Sequence, residues 1–471
     1  MPATPDELGR IEKFFIDRDG MPEAEARARM GRFRLALACG PEVSGSGTLQ
    51  AAVLTAANVA CRCFPAPGAV TVHLAEGHED GMTRLPWPAK SSLARAVREV
   101  APGAVVARGP VPPAAQATLV FGERPECGRG LQVSFDGWSA SVAPVGAATR
   151  QGERERCILA GVLAGGLAVS EVFLDFASVS LRASRRRVGI SLWRPDLAFD
   201  DEAALGAETP VQFLPNELWS LGLGHLGQAY LWALSLLPYS EPGKLHIVLQ
   251  DFDRVVKANL GTGVLSAPAD VGRLKTRVGQ AWLEARSFRP VLIERRFDAG
   301  THVYSDEPKL ALSGFDGGGP RAAFDGAGFE RIVDAGLGGT AANFDAIDLH
   351  TLPHPTRGSA EIWPEATPDE KAERLEQVER LARDNPVYQA HAREVGCGQF
   401  ELAGRSVAVP FVGVVASCLV LAEVLRMLHD GERFASILLR LDEPSRIKAH
   451  PVSGGYRGRG MPRLAFQETC L

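Results

Sequence analysis

The sequence predicts an α/β fold built twice over, and three observations predict it. Each half runs through a Gly-rich turn, a helix, several apolar strands and a long apolar helix, the alternation of a parallel sheet covered by helices. The two long apolar windows align without gaps. AGVLAGGLAVSEVFL from Ala160 lies against VGVVASCLVLAEVLR from Val412, with Gly161/Gly413, Leu167/Leu419 and Glu171/Glu423 in register. Earlier landmarks keep the same order: GSGTLQAAVLTAANV from Gly45 with GLGHLGQAYLWALSL from Gly222, TLVFGE from Thr118 with ALSGFD from Ala311, LQVSFDGW from Leu131 with ERIVDAGL from Glu330. Duplication accounts for that shared order. The blander account is that any two Rossmann-like halves look alike at this level. Small residues in the apolar windows permit close helix packing and suit a seam between the halves.

The halves differ in ways that bear on function. Gly227 closes GxGxxG in the second half, where the first has Gln50. The Asp-rich strand and the Asn that follows it have no clear counterpart in the first half. The expected organisation is a degenerate first half over 1–195, a linker over 196–212 and an active half over 213–471. An insertion over about 340–408 interrupts the active half and carries Cys397.

Bulk properties narrow the function classes. The chain has 471 residues, 45% hydrophobic and 23% charged, with a net charge of -5. That balance argues against a general nucleic-acid binder. The apolar windows Cys157–Ala168 and Phe411–Ala422 are too short to span a bilayer and read as buried helices. Cysteines stand at 39, 61, 63, 127, 157, 397, 418 and 470 without the paired spacing of a structural zinc site. Free thiols in a reducing cytoplasm are the expectation.

The chemistry concentrates between Leu221 and Lys275. Gly222, Gly224 and Gly227 let the backbone turn tightly, with the next helix N-terminus facing phosphate. Alone, that motif fits a dehydrogenase or an empty turn equally well. Asp251 and Asp253 end a buried strand, and Asp251 is placed to accept hydrogen bonds from a ribose. Strand-end turn chemistry is the alternative for both. Asn259 offers an amide that can donate to phosphate oxygens, and Lys275 a point charge for them. Asp316 ends the strand KLALSGFD at the carboxyl edge of the sheet, where open α/β sheets bind ligands. It could hold the magnesium that accompanies a triphosphate, or cap the Gly-rich turn that follows.

GLGHLG, DFDRVVKAN, DVGRLK and SGFD resemble the ThiF/MoeB and ubiquitin-activating-enzyme superfamily over roughly 214–431, and more weakly over the first half. The resemblance implies two Rossmann-like adenylation domains forming an intramolecular pseudo-dimer, with only the second active. It implies ATP and magnesium as cofactors: Asp251 on the ribose, Asn259 and Lys275 on the phosphates, Asp316 on the metal. It implies adenylation of the C-terminal glycine of a ubiquitin-like protein. Two departures stand out. The family continues its Asn motif as NLxRQ, whereas this chain reads NLGTG with Thr262 at the Arg position. The zinc tetrad common in bacterial ThiF and MoeB types is absent. Family members also borrow an arginine from the partner domain's N-terminal helix, for which Arg27, Arg29 and Arg32 are the candidates.

A thiol could take the acyl group as a thioester before it passes to a conjugating enzyme. Cys397 in EVGCGQF is the choice: glycines flank it, and family members carry their cysteine in the corresponding crossover region. An incidental loop thiol is the alternative. Cys418 reads as packing, Cys61 and Cys63 as a helix end. His350 and His354 read as loop histidines, and the segment Pro368–Asp384 as a solvated helix of the insertion. Compactness and high Gly and Ala content read as bacterial, and the chain resembles the activating enzymes of bacterial ubiquitination-like operons, including the antiphage BilD type. Rival readings are an adenylyltransferase of a sulfur carrier or peptide without a covalent intermediate, and an NAD(P) oxidoreductase. No membrane partner is expected, and a homodimer is left open.

Overall fold

The computed structural model describes residues 6–77, 81–88, 91–111, 114–124, 127, 130–147, 150–206, 210–395, 399–452 and 466–468. Two helices lead, α1 (Arg10–Asp19) and α2 (Glu23–Arg32). The first half then runs β1 (Leu35–Cys39), α3 (Gly47–Cys63), β2 (Val70–Leu74), α4 (Leu93–Val100), β3 (Val105–Arg108), β4 (Ala117–Phe121), β5 (Leu131–Asp136), β6 (Ser139–Pro144), α5 (Leu159–Phe176) and β7 (Val188–Ser191). The second runs β8 (Phe213–Pro215), β9 (Glu217–Leu221), α6 (His225–Ser235), β10 (His246–Gln250), α7 (Lys275–Glu284), β11 (Val291–Ile293), β12 (Leu310–Ser313), α8 (Gly318–Ala322), α9 (Phe324–Ala327), β13 (Arg331–Leu337) and β14 (Ala346–Leu352). The chain continues through α10 (Ser359–Ile362), α11 (Pro368–Asp384), α12 (Pro386–Val395), α13 (Gln399–Gly404), α14 (Pro410–Leu428), β15 (Phe434–Arg440), β16 (Lys448–Pro451) and β17 (Phe466–Glu468).

The two sheets repeat one strand order. The first has the order β3-β2-β1-β4-β5-β6-β7, the second β11-β10-β9-β12-β13-β14-β15-β16. In both, the first five strands are parallel and the rest antiparallel. The paired sequence landmarks fall on equivalent elements: β4 with β12, β5 with β13, α5 with α14. The insertion begins later than the sequence suggested. β14 pairs with β13 and β15 inside the sheet, so the added helices start after Leu352, not near position 340.

The apolar windows became α5 and α14, buried against other helices. By length and composition both could cross a membrane, but 89% and 100% of their most apolar windows are buried within the protein. Glycine sets how close they come. A Cβ on Gly161 would lie 2.0 Å from the Thr48 carbonyl oxygen, so α5 rests directly on α3. Gly166 faces Val414 and Val415 of α14 across the boundary between halves. Phe173 and Phe411 add a ring contact of 5.4 Å at that boundary. One continuous hydrophobic core therefore runs through both halves. The segment expected to be a linker is anchored where it is described. Ser139 and Ser191 both donate to the carbonyl of Ala204, and Trp138 N–H donates to Leu205.

Candidate functional site

The strand order reverses direction between β9 and β12, which opens a crevice at their carboxyl ends. A cavity of about 420 Å3 occupies it. Gly222, Gly224, Asp251, Asp253, Asn259, Lys275 and Asp316 all line that cavity. The turn from β9 into α6 explains its glycines. Gly222 adopts φ +79°, a conformation that side chains disfavour. A Cβ on Gly227 would sit 1.9 Å from the Gly222 carbonyl oxygen, so only glycine lets α6 close on its own turn. A Cβ on Gly224 would meet no protein atom within 4 Å; the space beside it is cavity.

Asp251 follows β10 and braces the same turn. Its Oδ2 accepts from Leu223 N–H at 2.6 Å and its Oδ1 from Asp253 N–H at 2.8 Å. Burial pushes its carboxyl above the usual range, against the pull of Lys275 and the two N–H donors. Asp253 is half exposed, and its Oδ2 accepts from Lys275 Nζ at 2.8 Å. Lys275 is otherwise buried, at the first turn of α7. Asn259 uses Oδ1 to accept from Val256 N–H at 3.0 Å, so the chemistry it has left to offer is that of an NH2 donor. Thr262 is buried and donates back to the Asn259 carbonyl at 3.4 Å. Asp316 is exposed, past the end of β12.

The Asn259 loop is held from the other half. Asn58 of α3 donates to the Val264 carbonyl at 3.0 Å, and Arg62 donates to those of Leu260 and Ser266 at 2.6 and 3.1 Å. Trp232 of α6 donates to Thr55 of α3 at 3.1 Å. Six cationic side chains border the cavity against three carboxylates, a balance suited to a polyanion.

One of those cations corrects the sequence reading. Arg27 is paired with Glu23 and Glu12. Arg29 stacks on Phe15 and Phe176 and donates to the Phe176 carbonyl. Arg32 is exposed at the end of α2, and none of the three lines the cavity. Arg10 does, from the first turn of α1. Its Nη1 is shielded from solvent and has no hydrogen-bond partner among the described residues. Burial lowers its pKa, as does neighbouring Arg405, while Asp6 and Asp316 pull it up. The three arginines offered by the resemblance all belong to α2, whereas Arg10 stands one helix earlier, on α1. The signal available was a helix bearing Arg10, Lys13 and Asp17 on one face, ahead of any strand.

The inserted helices form the opposite wall, through Arg374 of α11 and Ser406, Val407 and Ala408 before α14. The equivalent crevice in the first half keeps a cavity of about 530 Å3, between Pro41, Glu76, Glu123 and Arg124, but not the same side chains. Gln50, at the Gly227 position, donates to Val43 O and accepts from Arg84 N–H. Arg124 bridges the carbonyls of Cys39 and Gly109 at 2.8 and 3.1 Å.

Cys397 and Cys470 lie outside the described residues. Burial pushes the thiols of Cys39, Cys61 and Cys157 up to about 12 and those of Cys63 and Cys418 higher still. None of these five is poised as a thiolate at neutral pH. His350 is a correction: it lies within β14, not in a loop, with Nε2 3.1 Å from Asp348.

Residues 34–192 match the model of the BilD N-terminal domain, and 214–431 that of the BilD C-terminal domain. The sequence is 36% identical to the bacterial E1-like protein BilD of Collimonas sp. (strain OK412) over 465 residues, 97% of this chain and 96% of that protein. Among solved structures, E. coli MccB with MccA-N7isoASN is 17% identical, covering 50% of this chain and 63% of its own, at a TM-score of 0.30. E. coli tRNA N6-threonylcarbamoyladenosine dehydratase, TcdA, is 15% identical, covering 45% and 86%, at a TM-score of 0.29. Scores that low say nothing about the site.

Proposed function

The chain belongs to the BilD family of bacterial E1-like proteins, and from that premise we propose that it uses ATP to activate the C-terminal glycine of a ubiquitin-like protein. The carrying observation is that residues from six separated segments, 10, 222–226, 251–253, 259, 275 and 316, meet in one cation-rich cavity at the strand switch point.

The reaction moves few atoms. A carboxylate oxygen of the terminal glycine attacks the α-phosphorus of ATP, the α–β phosphoanhydride bond breaks, and pyrophosphate leaves an acyl adenylate. Positioning and charge neutralisation carry such a step. The Gly222–Gly227 turn and the α6 N-terminus receive phosphates, and Asp251 keeps lone pairs for a ribose hydroxyl. The Asn259 NH2 donates to phosphate oxygens. Lys275 can exchange its contact with Asp253 for a phosphate. Arg10 brings a charge from α1, offsetting the arginine that Thr262 replaces. Asp316, a single outward carboxylate, fits magnesium, which takes one or two carboxylates and its other ligands from phosphate and water. That ion would neutralise charge on the departing pyrophosphate.

The thiolate of Cys397 then attacks the acyl carbonyl, AMP leaves, and the thioester passes to the cysteine of a conjugating enzyme. The burial of five other thiols supports assigning this step elsewhere. The repeated strand order and the shared helical seam support reading the two halves as an intramolecular pseudo-dimer whose first member has lost nucleotide chemistry. ATP–pyrophosphate exchange that depends on a β-grasp protein ending in glycine tests the reading. Tight NAD binding without ATP-dependent pyrophosphate release would overturn it.

A further inference from the structure

We propose that Tyr388, on an inserted helix, is a positioning residue for the nucleotide cavity: it latches the helix that delivers Arg10. The inference rests on the reading that this cavity takes ATP.

Arg10, Lys13 and Asp17 stand at i, i+3 and i+7 of α1 and so share one face. Arg10 points that face's first turn at the cavity. The rest of it is gripped by the insertion. Lys13 is fully buried, and its ammonium donates to Asp17 at 2.5 Å and to the Tyr388 hydroxyl at 3.0 Å. The Tyr388 hydroxyl donates to the other Asp17 oxygen at 2.6 Å. Asn385, which precedes α12, donates to the Ile16 carbonyl at 2.7 Å. Leu8 and Ile16 pack with Ala382, Tyr388, Leu402 and Ala403 in a small core separate from the main one.

Two features make this latch matter for Arg10. The N-cap of α1 is Gly9, which provides no side-chain cap, so the start of the helix is not pinned by its own sequence. A buried ion pair also holds one geometry only while its remaining hydrogen bonds are made. The Tyr388 hydroxyl completes both partners. Deleting it loosens the face whose next turn carries Arg10, three residues from Lys13. Arg10 and Asp316 line the same cavity, and the Asp316 carboxylate acts on the Arg10 charge.

The test is calorimetric titration of the full-length chain with magnesium-ATP and, separately, AMP. Wild type is expected to prefer ATP. R10A should lower that preference roughly tenfold, the scale of one charge-assisted hydrogen bond. Y388F, which keeps the ring and its packing, should lower it about fivefold while AMP affinity stays unchanged. In the double variant the Tyr388 effect should shrink to under about twofold, because both substitutions act through one group. A Y388F protein with the wild-type preference, or fully multiplying effects in the double variant, overturns the inference. Equal loss of ATP and AMP binding makes Tyr388 merely structural and overturns it too. If wild type shows no preference, or R10A leaves it intact, the ATP or Arg10 assignment itself falls and takes the latch with it.

Discussion

Replacing Gly227 by alanine puts one methyl group where the Gly222 carbonyl already stands. The added carbon would lie 1.9 Å from that oxygen and 2.8 Å from its carbon. Both are backbone atoms, so no side chain can swing away. Reaching even 3.0 Å, the closest approach that real side chains show, requires the turn and α6 to separate by about 1 Å. A misplacement of that size costs on the order of 100-fold in a reaction that depends on positioning. The same clash destabilises the fold by about 1–3 kcal/mol, as overpacking elsewhere does. ATP–pyrophosphate exchange should therefore fall about 100-fold in a protein that still melts cooperatively. Gly45→Ala is the matched control: its φ is -96° and its nearest contact an ordinary 3.6 Å. It should leave both exchange and melting unchanged. A G227A protein that exchanges at the wild-type rate would refute the argument that this turn holds the phosphates.

Lys275→Ala and Asp316→Ala should each lower exchange by roughly 100-fold or more, as loss of one preorganised charge does; unaltered exchange in either would remove that residue from the site. Cys397→Ala should retain exchange yet lose the thiol-reducible conjugate with the ubiquitin-like protein, and a persisting conjugate would assign the acyl carrier to another residue. His225 is held neutral, its pKa lowered to about 4 by burial, with Nε2 unpartnered and packed against Gly413. The unfolded chain takes up that proton near 6.5. His225 therefore costs no stability above about 6.5 and progressively more as pH falls toward 4. Chemical denaturation should show H225Q losing less stability than wild type over that window, and parallel pH profiles would contradict it.

Much of the site was legible because its residues announce themselves over short spans. A Gly-turn, a strand end with two aspartates and an Asn loop follow one another within forty residues of chain. In the Gly-turn, Gly222 holds a φ of +79° that side chains disfavour, and a Cβ on Gly227 would meet the Gly222 carbonyl. The duplication was legible because apolar helices with glycine at fixed places leave a pattern. Arg10 shares a polar helix face with Lys13 and Asp17 that the sequence does show, but only the tertiary packing of α1 carries that face to the cavity. The insertion's start was misjudged for a related reason. β14 is an antiparallel strand whose identity depends on neighbours β13 and β15, not on its own composition. His350 went with it.

The grip of Asn58 and Arg62 on the Asn259 loop has a kinetic consequence. The first half supplies the backing for the Asn259 loop of the second, so completing the cavity wall requires two surfaces to meet. Joined in one chain, they meet at a fixed effective concentration that dilution cannot change. A protein cut between 206 and 210 would trade that for ordinary bimolecular assembly. Its specific activity would then fall on dilution, whereas that of the intact chain would stay constant.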